Sequence, residues 1–253
     1  MTRGIYFVYG AVCYVVFFVT FLYLIGFVHN LAVPKAIDSG IAGPVGAAIV
    51  LDALLILLFG LQHTVMARPG FKASWIRLVP RPIERSTYVL LSSLILILLF
   101  WQWRPIPATV WAVDASAPRL ILTGIGLLGF LLVLYSTLLI DHFDLFGLRQ
   151  VLLHLRGEPH AEKGFVTPSL YRFIRHPLYL GWLIAFWVTP HMTQGHLLFS
   201  ILSTVYIFVA IPFEERDLIE ILGDDYRRYR EYTSMIIPLP GLKRRTSSGD
   251  RSE

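Results

Sequence analysis

Apolar residues run along this chain in long unbroken stretches, not in the one-sided stripes or strict alternation of a soluble domain. Four stretches, 5–28, 44–66, 86–103 and 119–142, are each about as long as a helix needs to cross a hydrocarbon layer. A fifth, 178–213, is too long for one crossing. It is interrupted by Pro190-His191-Met192-Thr193-Gln194-Gly195, which reads as a turn. The pattern predicts an all-α integral membrane protein with about six transmembrane helices. The last two form a tight helical hairpin whose first arm is short. The opening stretch exceeds a signal-peptide core and reads as a retained span.

The longest connection lies between 144 and 175. Leu145, Leu148, Val151, Leu152 and Leu155 recur at helical spacing and predict a helix lying in the membrane interface. Thr167-Pro168 predicts a further helix start, and Pro177 a boundary before the next. The segment 243–253 is polar and basic, which predicts a disordered tail. With no internal repeat, residues 1–242 read as one transmembrane domain, and a transporter built on inverted repeats loses its main support.

Composition agrees: 55% of residues are hydrophobic and 15% charged. The net charge of +5 matters through its location. With a cytoplasmic N-terminus, 19 of the 22 lysines and arginines fall on the cytoplasmic side, and only Lys35, Arg104 and Arg119 on the other. Both termini are then cytoplasmic. The basic residues serve anionic lipid headgroups, so the charge gives no case for nucleic acid. Cys13 is the single cysteine, which excludes a disulfide within the chain.

With this topology, Gln62 and His63, Asp141 and His142, Arg175, His176 and Tyr179, and Glu214 and Glu215 share one membrane boundary. Four helices thus present polar groups at one depth, as a pocket between helices requires. Each has a plainer reading. His63 suits an interfacial histidine, Asp141-His142 a helix end meeting water, and Arg175 a headgroup anchor. Tyr226 and Tyr229 suit packing. The glutamate pair resists such a reading, because carboxylates gain little at an anionic surface. Asp52 lies roughly 16 Å along the helix from His63, where a carboxyl needs a partner or a proton.

The pattern Arg175-His176-Pro177-Leu178-Tyr179-Leu180-Gly181, then Glu214-Glu215-Arg216-Asp217-Leu218, then Gly223, Tyr226, Tyr229 and Pro238, resembles the isoprenylcysteine carboxyl methyltransferase superfamily of membrane enzymes. The resemblance implies S-adenosylmethionine as cofactor, bound by about 165–240. His176, Tyr179 and Glu214 or Glu215 would hold it, with Gly181 of the same motif. Arg172 or Arg175 suits its carboxylate. Phe59-Gly60-Leu61-Gln62-His63, Glu84-Arg85-Ser86-Thr87-Tyr88, Pro34-Lys35-Ala36-Ile37-Asp38 and Asp141-His142-Phe143-Asp144 are similar to a narrower bacterial branch, the methanethiol S-methyltransferase family. That implies methylation of a small thiol to dimethyl sulfide in the bacterial cytoplasmic membrane, with the active site near the cytoplasmic face and no metal. The attacking form is a thiolate. His63 is the first candidate for its base, with Asp141 and His142 in reserve. Two alternatives stand beside this reading. One is methylation of a larger lipidic thiol, carboxylate or amine. The other is a non-catalytic haem protein with His63, His142 or His176 as axial ligands.

Reporter fusions test the orientation. Residue 75 and the chain after 243 should report as cytoplasmic, and residue 110 and the 190–195 turn as external. A turn found inside would overturn the shared boundary.

Overall fold

The computed structural model describes residues 2–160 and 164–238. The expected tail, 243–253, lies outside the described residues, as do Lys163 and Pro240. In chain order the helices are α1 (Thr2–His29), α2 (Val45–Ala67), α3 (Pro69–Trp75), α4 (Arg81–Gln102) and α5 (Ser116–Ile140). The short α6 (His142–Leu145) and α7 (Leu148–Arg156) follow, then α8 (Pro177–Trp187), α9 (Gln194–Leu222) and α10 (Asp224–Tyr232). Strands β1 (Thr109–Ala112) and β2 (His191–Thr193) form one antiparallel ribbon.

Five helices, α1, α2, α4, α5 and α9, are long and apolar enough to cross a membrane. The bundle wears apolar side chains outward, with Ile5, Leu57 and Leu120 each more than 60% exposed. A soluble protein hides such residues, and lipid accepts them. Inside, Phe21 and Phe27 (α1), Phe130 (α5), Phe186 (α8) and Phe199 (α9) pack with Trp103 into an aromatic core.

The fifth expected span, read as the short arm of the hairpin, is too short to cross. Helix α8 has 11 residues, about 16 Å of rise and roughly half a hydrocarbon core. Beyond Val188 the chain runs extended into β2. Backbone outside a helix is tolerated at such depth only where protein satisfies it. Here Val113 N–H bonds the Pro190 carbonyl at 2.8 Å, Trp111 Nε1 the Thr189 carbonyl at 3.1 Å, and Gln194 N–H the Ala108 carbonyl at 2.8 Å.

The expected hairpin is correspondingly loose, because α8 packs more on α5 than on α9. Gly129, Gly181 and Ala185 explain this. A Cβ on Gly181 would sit 2.8 Å from the Gly129 carbonyl, and one on Gly129 would sit 2.5 Å from Ala185 N. The two backbones touch directly, as small residues allow in membrane helix pairs.

At the end of the bundle near β1 and β2, residues 30–43 fold inward. Ile37 is fully buried and its carbonyl takes the Trp103 indole N–H at 3.0 Å. Asp38 accepts the Thr193 hydroxyl at 2.5 Å and the Asn30 amide at 2.8 Å. Asp52 is also fully buried, and it accepts the backbone N–H of Arg104 at 2.9 Å. Its partner is the chain leaving α4.

At the opposite end the expected interfacial helix forms as α7, but docked. Its Val151 is fully buried against Gly10 of α1 and leaves no room for a Cβ there. The helix expected after Thr167-Pro168 shrinks to a 3₁₀ turn, Ser169–Arg172, where Ser169 adopts a left-handed φ of 47°.

Replacing Gly181 with valine should overpack the α5–α8 contact. A loss of at least about 1–3 kcal/mol is expected, seen as a lower thermal midpoint in detergent. An unchanged midpoint would show that the two backbones separate freely.

Candidate functional site

The two signatures read from the sequence meet where α8 begins and α9 nears its end. Successive residues on a helix point about 100° apart, and Glu214 and Glu215 use that difference. Glu215 turns inward, with its side chain 7% exposed. It accepts Arg175 Nε at 2.7 Å, His176 Nε2 at 3.1 Å and Arg230 Nε at 3.2 Å. Arg175 reaches further, to the carbonyls of Arg230 and Thr233. The backbone continues the clamp: Arg175 N–H bonds the Ser234 carbonyl at 2.8 Å and His176 N–H that of Met235 at 3.0 Å.

Glu214 is left open. Its side chain is 42% exposed, and it accepts the Tyr179 hydroxyl at 2.8 Å, with His176 Nδ1 3.9 Å away. Of the expected cofactor residues, Tyr179 and Glu214 therefore lie toward accessible ground, with the buried His176 behind them. Arg175 and Glu215 are committed to each other. Arg172 stands exposed on the 3₁₀ turn, and Gly181 faces α5.

Tyr226 and Tyr229 are buried on one face of α10, both against Phe165. The Tyr229 hydroxyl donates to the Tyr171 carbonyl at 2.5 Å. Burial pushes the phenols of Tyr171, Tyr226 and Tyr229 above their ordinary range, and Glu214 adds to this at Tyr171 and Tyr226. All three stay protonated at neutral pH and can donate.

The expected base candidates separate. His63 on α2 stacks on Phe59 with ring centroids 5.2 Å apart, and lies 5.2 Å from the Tyr88 ring. Its Nδ1 is 3.4 Å from the Ser92 hydroxyl, which also bonds Gln62 Oε1 at 3.1 Å. Among the described residues its Nε2 has no hydrogen-bond partner. His142 is occupied on both nitrogens, by the Tyr14 hydroxyl at 2.8 Å and the Thr137 hydroxyl at 2.8 Å. It ties α1 to α5, and burial holds its pKa below the usual histidine range, with Asp141 opposing. Asp141 caps α6 by accepting Asp144 N–H and pairs with Arg149 at 2.6 Å. Among the described residues no three His, Cys, Asp or Glu side chains are grouped to hold a metal ion.

Several neighbours escaped the sequence reading. Tyr206 on α9 meets the Thr64 hydroxyl at 3.4 Å. Arg68 pairs with Asp217 at 2.7 Å, joining α2 to α9. Tyr206 sits in an apolar run, where an aromatic residue reads as filling, and Arg68 sits in a basic loop, where it reads as an anchor.

No family model matches the chain, and no solved structure matches it. Curated proteins do. A methanethiol S-methyltransferase of Mycobacterium tuberculosis is 54% identical over 95% of this chain and 98% of that protein. Methanethiol S-methyltransferase 1 of Bradyrhizobium diazoefficiens is 53% identical over 93% of this chain and 83% of its own length.

The chain belongs to the methanethiol S-methyltransferase family.

A more distant likeness, 34% identity over 66% of the chain, links it to nurim of Sus scrofa. For a methanethiol S-methyltransferase family member, the geometry divides the glutamate pair into a structural and an open residue. Glu215→Gln should cost about 3–5 kcal/mol by stranding Arg175 and Arg230. Glu214→Gln should leave the thermal midpoint within about 0.5 kcal/mol of wild type. Equal midpoints for the two variants would refute the division.

Proposed function

We propose that the protein methylates methanethiol to dimethyl sulfide with S-adenosylmethionine as the methyl donor. Kinship over nearly the whole chain carries this reading. The chemistry of the site fits the donor. An open carboxylate, Glu214, suits ribose hydroxyls or an amino group, and the exposed Arg172 suits a carboxylate. Tyr179 orients Glu214, while Arg175, His176 and Glu215 hold the wall of the site. The Glu214 end of the bundle faces the cytoplasm of a bacterial cell, consistent with the bias of basic residues.

When bound, S-adenosylmethionine supplies a methyl group already activated on a sulfonium. The chain's task is then to place a thiolate in line and keep water away. The thiolate sulfur forms the new bond to the methyl carbon. The old sulfur–carbon bond breaks with its electron pair staying on the donor sulfur. The thiol proton goes to His63 Nε2, whose other nitrogen lies beside Ser92. Arg68 ends the same helix and Arg85 stands over the neighbouring Tyr88 ring, so the thiolate forms near two positive charges, which equally oppose a lasting charge on His63.

The aromatic core favours a small acceptor over a lipidic one. Trp182, one turn beyond Tyr179 on α8, packs on Phe21, Phe130 and Phe186 at centroid separations of 6.1, 5.7 and 5.3 Å. That fill competes with any long acyl or prenyl chain for the bundle interior.

His63→Ala tests the base. Dimethyl sulfide formation, followed by headspace detection, should fall by roughly 10²–10⁴ in kcat with donor affinity little changed. Raising the pH should restore part of the rate, because solution then supplies the thiolate. Near-normal turnover would remove His63 from the reaction. Absence of any methylated thiol from the wild-type protein would reject the function itself.

A further inference from the structure

Four oxygen-bearing side chains from three helices gather between Glu214 and His63. They are Tyr88 on α4, Tyr179 on α8, and Tyr206 and Glu214 on α9. Rings link two of them around α2: Phe59 lies 6.2 Å from Tyr206 and 5.2 Å from His63, and His63 lies 5.2 Å from Tyr88. Tyr179 is tied to Glu214 at 2.8 Å. Tyr88 extends to the His63 carbonyl at 3.3 Å, and Tyr206 receives the Thr64 hydroxyl at 3.4 Å, so both reach α2. The Tyr206 ring lies so close to α2 that a Cβ on Gly60 would sit 2.7 Å from it. Gly60 therefore makes the space that Tyr206 occupies. The nearby cations have other partners: Arg68 pairs with Asp217, and Arg85 donates to the Leu145 carbonyl while standing 5.3 Å above the Tyr88 ring.

This arrangement suits one kind of ligand group. A sulfonium is a cation with no N–H or O–H to donate. It is recognised by surrounding partial negative charge and by aromatic faces, not by conventional hydrogen bonds. Hydroxyl oxygens, a carboxylate and three phenol rings supply that surrounding. A neutral thioether of the same shape gains almost nothing from them. We propose that Tyr206 and Tyr88, together with Tyr179 and Glu214, form a sulfonium-selective subsite that separates the charged methyl donor from its uncharged product. The proposal rests on the donor assigned above and deepens it. Tyr206 lies outside every motif quoted above, and Tyr88 outside the superfamily signatures. Its consequence is that the spent donor is released more readily than the fresh one, so product does not block the site.

Calorimetric titration of the full chain in lipid nanodiscs tests this, with S-adenosylmethionine and S-adenosylhomocysteine as separate ligands. Wild type should bind the sulfonium more tightly. Tyr206→Phe and Tyr88→Phe should each weaken S-adenosylmethionine by about tenfold, because each removes one oxygen dipole from around the cation. S-adenosylhomocysteine should change by less than about twofold. Equal weakening of both ligands would mean that the hydroxyls merely support the packing, and would overturn the subsite. Unchanged affinities would overturn it too. Should one variant fold poorly, the other decides. A wild-type protein that binds neither ligand would reject the donor assignment along with the subsite.

Discussion

The buried carboxylate of Glu215 is the interaction on which the rest of this end of the molecule depends. A lone carboxylate this far from water would be very costly. Two guanidinium groups and an imidazole offset that cost, and they come from two distant parts of the chain. Arg175 and His176 lead into α8, and Arg230 belongs to α10. Satisfying one charge therefore fixes the start of one helix, the end of another and the segment that crosses them. The carbonyls of Arg230 and Thr233 complete the valences of Arg175 and bind the crossing chain to it. Removing Glu215 deprives two guanidinium groups and an imidazole of their shared acceptor, so the cluster holds as a unit.

That commitment frees Glu214. Its neighbour carries the structural charge, so Glu214 can face open ground with only Tyr179 bonded to it. The surroundings then acquire a polarity. Carboxylate and phenol oxygens dominate near Glu214, while Arg68 ends the helix of His63 and Arg85 stands over the neighbouring Tyr88 ring. In the proposed reaction a cationic donor and an anionic nucleophile each meet the sign of charge that suits it. Their mutual neutralisation follows from bond formation.

Much of this was legible in the residues themselves. Long apolar runs located four spans to within a few residues, because a membrane crossing demands length and little else. Pro177 marked the start of α8, since a proline at the first helical position costs nothing there. The signature residues marked the end at which the site lies. What failed depended on distance in space. The run 178–213 reads as two spans, the first short, because apolarity does not show that α8 ends at Trp187 before the chain pairs with β1. Gly181 reads as a motif residue, whereas its place is set by Gly129, far away in sequence. Asp141 and His142 share the expected boundary with Glu214, but caps and hydroxyl partners absorb them. Tyr206 carried no local signal, because its significance lies in facing α2.

The plugged end near β1 and β2 has a consequence for the cell. Asp38 and Asp52 are tied there to Thr193, Asn30 and the Arg104 backbone. Rings of Phe27, Trp103, Phe186 and Phe199 lie inward of them. A polar cleft sunk into an energised membrane threatens to short-circuit it, since a file of water or titratable groups from face to face would conduct protons. Here the hydrophilic groups at the two ends are separated by a layer of aromatic carbon. A frame of this kind would insulate as well as hold a site, letting a membrane carry polar groups at both ends of one bundle with no conducting path between them.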